Sequence, residues 1–251
     1  MARSIFLGAL AAVALATFAA AAPAEAAGPF ARTADGKPDL SGIWQTFSRA
    51  DDDLLPHNAR PDAPASLGSV VGGEIPYLPA AAAKQAQNFK NREREDPRGK
   101  CFLPGVPRVT YTPFPFQIFQ SPDHLSIAYE YAHGVRNIYV NGTEHPPGHI
   151  DWWLGDSRGK WEGDTLVVSV KHFNGLTWLD HAGNYYSDNA SVIERYTPID
   201  ADHIKYQATI EDDKVFSKPW SIELVLYRRT EPNFQLLEYD CYIFEFERHY
   251  P

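Results

Sequence analysis

The pattern that most constrains the fold of this chain is a succession of short alternating segments after residue 101. In residues 124–131, Leu125, Ile127 and Tyr129 share one face of an extended segment, and the opposite face is small or polar. Period-two alternation of this kind is typical of strands with one buried face. The same reasoning predicts further strands at residues 108–112, 116–120, 135–140, 165–170, 191–196, 203–210, 220–228 and 236–247.

Turn-forming residues separate these segments at short intervals. Asn141-Gly142 and Glu162-Gly163-Asp164 are typical of hairpin connections. Connections this short favour consecutive antiparallel strands, and the lack of crossover helices excludes a parallel α/β sheet. We therefore predict an antiparallel up-and-down barrel of eight to ten strands, because closure removes exposed sheet edges. A flat sandwich is the alternative.

The chain before residue 101 has a different character. Residues 1–26 have the features of a signal peptide: Arg3, an apolar run, and a small-x-small site at residues 24–26. Residues 27–100 are predicted to be an extended segment with one helix at 79–95 that packs on the barrel. Pro79 in its first turn and Pro97 beyond its end set the bounds of this helix. Residues 101–251 are predicted to form the barrel domain.

Charge and hydropathy limit the partners. The formal net charge is −9, and it stays −9 without residues 1–26, because that segment holds one base and one acid. An acidic chain without a basic stripe repels nucleic acid, which we exclude as a partner. No apolar run after the signal approaches the ~20 residues of a membrane span. We expect an exported protein, periplasmic or secreted, of unknown oligomeric state.

The only two cysteines, Cys101 and Cys241, are predicted to form a disulfide bond. Export removes the reducing thiol pool, and closing so long a loop contributes about 3–5 kcal/mol in the chain-entropy model. A reactive pair is the alternative, although the two residues lack CxxC spacing.

Two resemblances follow from short motifs. Gly42-Ile43-Trp44 is similar to the Gly-x-Trp that opens lipocalin barrels, and Arg228 or Arg229 is similar to the arginine that stacks on that tryptophan. This resemblance implies a calycin-like barrel with a cation–π contact at its floor. The chain also resembles a family of uncharacterised secreted bacterial proteins through CFLPGVPR at 101–108, GKWEGDTLVV at 159–168 and LEYDC at 237–241. That resemblance implies no activity.

The loop at residues 145–151 is the first candidate for chemistry. Its prolines hold His145, His149 and Asp151 near one another. Imidazole titrates nearest neutral pH, so either histidine could transfer protons. A zinc site is a weaker interpretation, because HxxxH ligand pairs are usually helical and prolines prevent a helix here. A loop of solvated histidines is the third.

Residues 177–188 form the second candidate cluster. On an extended strand Asp180 and His181 point to opposite faces and do not pair. A turn at Gly183-Asn184 could bring His181 toward Asp188, and a carboxylate would raise the basicity of the imidazole. We expect this turn and the loop at 145–153 to meet at one barrel mouth.

Two further motifs have structural interpretations. Residues 161–164 are best explained as a hairpin turn that feeds the strand at 165–170. Glu194-Arg195 lies in mid-strand, so one of the two should point inward and form an ion pair with Glu130, Arg136 or Arg228. Arg195 as a ligand-orienting group is the alternative.

The sequence supports three hypotheses about function. The first is a barrel that binds an apolar or aromatic small molecule and performs lyase, hydratase or isomerase chemistry without a cofactor. His181 would be the base, Asp180 or Asp188 its orienter or the acid, and His145 or His149 a second proton donor. The expected ligand contacts are Trp152, Trp153, Trp178, Asp151, Arg195 and Tyr129.

The second hypothesis is a non-enzymatic carrier, and the third is a metal-dependent protein that uses His145, His149, Asp151 and His181. The absence of a GxSxG elbow, a phosphate loop and a dinucleotide fingerprint argues against those classes of enzyme.

Overall fold

In a computed structural model that describes residues 29–148 and 150–241, nine strands close into one barrel in chain order. The predicted signal peptide, His149 and residues 242–247 of the last predicted strand lie outside the described residues. The strands are β1 (Gly42–Gln45), β2 (Phe116–Gln120), β3 (His124–Tyr129), β4 (Val135–Tyr139), β5 (Asp156–Glu162), β6 (Thr165–Lys171), β7 (Ser191–Pro198), β8 (His203–Glu211) and β9 (Trp220–Arg228). The predicted closed, mainly antiparallel barrel is confirmed.

The neighbouring strands are antiparallel except for β4 and β5, which are parallel. This exception follows from closure, because a ring in which every neighbour is antiparallel needs an even number of strands. The long connection between Tyr139 and Asp156 lets β5 run in the same direction as β4. The expectation that all consecutive strands form antiparallel hairpins is therefore wrong at this one step.

Two other predictions are corrected. Residues 108–112 are not a strand, since Arg108–Tyr111 form a short helix, α2, whose side chains are all buried. Residues 236–241 contain only an isolated bridge, between Tyr239 and Tyr131. The alternation pattern predicts neither β5 nor β1. β1 contains the lipocalin-like Gly42-Ile43-Trp44, although the barrel was predicted to begin at residue 101, and it pairs with both β2 and β9.

The helix α1 (Pro79–Glu95) has the predicted bounds and lies across the turn at residues 179–183. Its Gln85 and Asn88 side chains donate hydrogen bonds to the carbonyls of Ala182 (2.9 Å) and Gly183 (3.1 Å). Gly183 has φ +82°, and a Cβ there would lie 2.5 Å from the Cβ of Asn88. The close packing of helix on turn therefore requires glycine at this position.

The barrel interior is filled by side chains. Trp44, Phe116, Tyr196 and Tyr206 are all buried within it, together with an ion pair between Arg136 and Glu194. Tyr196 and Tyr206 donate hydrogen bonds to Glu194 (3.0 and 2.8 Å), and Arg136 donates to the Ser157 hydroxyl (2.9 Å). The prediction that one residue of Glu194-Arg195 points inward and forms an ion pair is confirmed: the inward residue is Glu194, and its partner is Arg136. A core packed in this way leaves ligand sites to the ends and the outer wall.

Two contacts link distant parts of the chain. The guanidinium of Arg228 lies 4.2 Å from the ring centroid of Trp44, so β9 supplies the expected cation–π partner to β1. Cys101 and Cys241 form the predicted disulfide bond. Such a bond is compatible with an oxidising, extracytoplasmic location. Among the described helices, none has the length and apolar character needed to cross a membrane.

We expect Glu194→Gln to lower the free energy of unfolding by about 3–5 kcal/mol, because it leaves the buried Arg136 charge uncompensated. The measurement is urea unfolding at pH 7. Glu223→Gln is the matched control, since Glu223 pairs with Lys205 on the exposed face (2.8 Å) and such pairs contribute less than about 1 kcal/mol. Equal losses in the two variants would contradict the assignment of Glu194 as a core ion.

Candidate functional site

His181 lies in the turn beneath α1, where its imidazole contacts two carboxylates. Its Nδ1 is 2.9 Å from Oδ2 of Asp96, which is buried just after the end of α1. Its Nε2 is 3.5 Å from Oε1 of Glu93, an exposed residue in the last turn of the same helix. The backbone N–H of His181 donates to the carbonyl of Asp51 (2.8 Å). Ring and backbone are therefore both fixed.

Asp96 is in turn held by the buried guanidinium of Arg108. Two Arg108 nitrogens donate to the two Asp96 oxygens (2.7 and 2.9 Å), and the third donates to Asp51 (2.8 Å). Arg98 lies 3.2 Å from the second oxygen of Asp51. The bidentate geometry leaves Asp96 one orientation, and that orientation presents an oxygen to His181.

These contacts shift the proton affinities. Burial by itself would raise the pKa of Asp96, but the Arg108 charge and the hydrogen bonds from His181 and Arg108 hold that pKa well below its usual range. The hydrogen bond to Asp96 raises the pKa of His181, against a smaller opposing effect of burial. A carboxylate at Nδ1 also favours the neutral tautomer that is protonated at Nδ1, which leaves Nε2 able to accept a proton.

The His181 cavity has a volume of about 350 Å³ and is lined by both polar and aromatic groups. Tyr131 and Tyr239 stack with ring centroids 5.6 Å apart, and the disulfide lies beside them. Arg92, Arg98, Glu93 and Asp96 supply the charges. Burial raises the pKa of Tyr131 to about 12, and its hydroxyl donates to the carbonyl of Arg98 (2.6 Å). The Tyr131 hydroxyl therefore stays protonated near pH 7, and its ring forms an uncharged part of the cavity lining.

The two aspartates expected to assist His181 lie elsewhere. Asp180 is fully buried and accepts hydrogen bonds from the backbone of Leu54 (2.9 Å) and from the backbone and side chain of Asn184 (3.0 and 2.6 Å). Burial and the nearby Asp53 raise the pKa of Asp180 to about 7. Asp188 is exposed and lies 3.2 Å from Lys214. The structure therefore gives Asp96 the place at His181 that we expected for Asp180 or Asp188.

Asp62, Glu93 and His181 bring three potential metal-binding atoms within 4.8 Å of one another. Asp62, however, is paired with Arg92 (2.7 Å) and Arg60 (3.5 Å). The hydrogen bond from Arg92 lowers the pKa of Asp62 to about 2. Two arginines this close repel a divalent cation, so these residues fit an ion network better than a metal site.

A second cavity, of about 340 Å³, contains two of the expected tryptophans. Trp152 and Trp153 line it with Leu103 and Val135, and it reaches Arg136 and Ser157 at the core. Trp153 stacks on Phe102 at 4.9 Å with its ring nearly parallel. The walls of this Trp152–Trp153 cavity are mainly apolar. Leu103 lines this cavity, whereas Cys101 lines the His181 cavity.

The loop at residues 145–153 and the turn at residues 177–188, which we expected to meet at one barrel mouth, share one cavity but do not bring their histidines together. Gly148 and Asp151 line one cavity with Asp188 and His172, whereas His181 points away toward Asp96. His145 lies apart from His181, with its Nδ1 2.6 Å from Asp156 and its Nε2 3.0 Å from the Ser169 hydroxyl. His149 lies outside the described residues.

The three other residues that we expected to contact a ligand, Trp178, Tyr129 and Arg195, are instead packed in the core or ion-paired on the surface. Trp178 is buried in the core and bridges to Tyr185. Tyr129 is buried inside the barrel, 5.5 Å from the ring of Phe116. Arg195 points outward and pairs with Glu162 (2.7 Å). These contacts leave Trp152 and Trp153 as the expected residues that line a mainly apolar cavity.

Comparison of the chain with protein-family models, with curated proteins and with solved structures gives no significant match.

His181 was found from sequence because a histidine lies among tryptophans and carboxylates in a turn-rich segment. Asp96, Arg108 and Glu93 were missed. The only signal for Asp96 was its position between the end of the helix and Pro97, which we used only to set the bounds of that helix. Asp96 and His181 are 85 positions apart in the sequence, so no local pattern could predict their contact.

The raised pKa of His181 predicts a defined pH dependence of stability. A folded-state pKa above the unfolded value of 6.5 stabilises the protein fully below 6.5, and this stabilisation is lost as pH rises through the folded-state pKa. We therefore expect His181→Ala to lower the free energy of unfolding more at pH 5.5 than at pH 9. Urea unfolding of both proteins at the two pH values measures this difference. A loss that is the same at both pH values, or larger at pH 9, would contradict it.

Proposed function

We propose that this protein binds a small molecule in the His181 cavity and catalyses proton transfer there without a cofactor. The observation that carries the proposal is the imidazole of His181, whose Nδ1 is anchored on the buried Asp96 and whose Nε2 lies on the cavity side next to Glu93. General bases are recognised by this combination of a fixed ring, an orienting carboxylate and an accessible second nitrogen.

The cavity walls support a reaction class. Tyr239, which stacks on the buried Tyr131, offers a ring surface for an apolar or aromatic portion of the ligand, and Arg98 offers positive charge beside it. A base and a cation side by side suit the removal of a proton next to a carbonyl, because the cation stabilises the negative charge that develops on oxygen. His181 would take the proton at Nε2. Its return at another atom gives isomerisation, and loss of a β-hydroxyl gives elimination.

Glu93 completes the proposed proton path. Its carboxylate is solvent-exposed, so it can pass a proton between Nε2 and water. Asp96 would remain ionised and act as a positioning residue, because its bonds to Arg108 favour the charged form.

A non-catalytic carrier is the second candidate function, and the Trp152–Trp153 cavity favours it. This cavity combines a mainly apolar wall with polar side chains that could orient a ligand, as in sites that bind without reacting.

We further propose that the chain is exported, to the periplasm or beyond. The signal-like composition of residues 1–26 and the Cys101–Cys241 disulfide support this location. The Arg228–Trp44 contact supports kinship with the lipocalin-like barrels. Membership of the uncharacterised secreted family stays a prediction.

A thermal-shift screen of small aromatic and apolar compounds, followed by mass analysis of each stabilising compound after incubation, tests the function. We expect at least one compound to be converted, and His181→Ala to slow its conversion at least ~100-fold, the usual contribution of a general base. His124→Ala is the matched control, because His124 is an exposed histidine that also lies beside an aspartate.

The screen separates the two candidates. Unchanged compounds whose stabilising effect survives His181→Ala and is lost in Trp153→Ala would establish the carrier and overturn the enzyme. Conversion at the wild-type rate by His181→Ala would show that the reacting site is elsewhere.

A further inference from the structure

We propose that Ser169, His145 and Asp156 form a second reactive site, in which Ser169 is the nucleophile for hydrolysis of a small carboxylic ester that carries a negative charge. This inference does not rest on the His181 cavity, because it involves other residues on the outer wall of the barrel.

The three side chains are connected in the order that an activated serine requires. Nδ1 of His145 is 2.6 Å from Oδ1 of Asp156, and Nε2 of His145 is 3.0 Å from Oγ of Ser169. When Nδ1 carries the ring proton and donates it to the carboxylate, Nε2 is left to accept the hydroxyl proton of serine. Nucleophile, base and orienting acid are recognised by this geometry and not by their order in the chain.

The strands explain why these residues converge. In the β5–β6 ladder Arg158 lies opposite Ser169, and Asp156 lies opposite Lys171. Side chains alternate between faces, and Ser157, Val168 and Val170 are buried, so Asp156 and Ser169 share the outer face. The connection between β4 and β5 places His145 between them. The same long connection that makes β4 and β5 parallel thus supplies the base.

The carboxylate is itself held in place. Arg158 donates to both oxygens of Asp156 (2.8 Å each), and its remaining nitrogen donates to the Thr143 hydroxyl (2.6 Å) on the His145 connection. These hydrogen bonds, with the one from His145, outweigh burial and lower the pKa of Asp156. Burial lowers the pKa of His145, against the opposing hydrogen bond to Asp156, so the ring is a neutral base near pH 7.

An outer groove of about 500 Å³ beside Ser169 indicates the class of substrate. Val167 and Ile193 form an apolar floor for an acyl chain. Arg158 is paired with Asp156, and Lys160 and Arg195 share the single carboxylate of Glu162, so the groove keeps an excess of one positive charge. That excess favours an anionic substrate and a negatively charged tetrahedral intermediate.

The reaction balances with water as the only co-substrate. As Oγ of Ser169 bonds to the ester carbonyl carbon, its proton passes to Nε2 of His145. The bond from that carbon to the alcohol oxygen then breaks, and His145 returns the proton to the departing alcohol. Water, deprotonated by His145 in the same way, attacks the acyl-serine and releases the carboxylic acid and free Ser169.

A purely structural role is the alternative, in which the same contacts only fasten the connection to the barrel wall. Serine-directed labelling separates the two roles. Diisopropyl fluorophosphate forms a serine O–P bond with loss of HF, and only an activated serine reacts quickly. We expect one adduct on the full chain, located at Ser169 by peptide mapping. We expect His145→Gln to slow its formation at least ~100-fold.

Ser126 is the matched control, because it is a strand serine bonded to Asn137 (2.7 Å) and not to a histidine. Ser126→Ala should leave labelling unchanged. The labelling rate should rise with pH through a midpoint below 6.5, because His145 becomes an effective base as it loses its proton. The titratable and charged groups around its ring are Asp156, Arg158, Lys171 and His172. A fastening role would give no such profile.

Ester turnover provides the second measurement. Wild type should hydrolyse mono(4-nitrophenyl) glutarate with a higher kcat/KM than 4-nitrophenyl acetate, and Ser169→Ala should hydrolyse neither above background. Absence of an adduct at Ser169, labelling of His145→Gln at the wild-type rate, or full hydrolysis by Ser169→Ala would each overturn the proposal. Ser169→Ala removes one partly exposed hydroxyl, so it decides the question if His145→Gln does not fold.

Discussion

The buried guanidinium of Arg108 is the group on which the rest of the His181 site depends. It joins Asp51 from the N-terminal segment to Asp96 beyond α1, and Asp96 orients His181. An isolated charge at this depth would be strongly unfavourable, so the three segments must come together for Arg108 to be buried at all. The packing of the N-terminal segment on the barrel and the orientation of the His181 imidazole therefore depend on the same buried ion pairs.

The barrel determines where chemistry can take place. Its interior is occupied by large aromatic side chains and the Arg136–Glu194 pair, so the cavities described above lie at its ends and walls. The parallel step between β4 and β5 adds a long connection at one point of the ring. That connection carries His145, which contacts Asp156 and Ser169, and leads into Trp152 and Trp153.

The sequence was sufficient to predict most strands, α1 and the disulfide, because alternation, a proline at a helix start and export are local signals. It failed at β5, whose inward positions are Ser157, Gly159 and Trp161 and give little apolar alternation. A Cβ on Gly159 would lie 2.7 Å from Val140, so the strand requires glycine at this position. The same glycine weakens the alternating pattern by which a strand is predicted from sequence. Residues 108–111 have strand-forming side chains but are helical, because the ion pairs of Arg108 override local preference. The contacts of Arg108 with Asp96, and of Asp96 with His181, also could not be predicted from sequence, because they join residues far apart in the chain.

The most direct test of this account is the titration of the His181 imidazole, followed by ¹H–¹⁵N correlation spectra of the wild-type protein and of Asp96→Asn. The account predicts a wild-type pKa above 6.5, a neutral ring protonated at Nδ1, and a lower pKa in the variant, because the hydrogen bond to the Asp96 carboxylate is what raises it. Identical titrations in the two folded proteins, or a neutral ring protonated at Nε2, would contradict it.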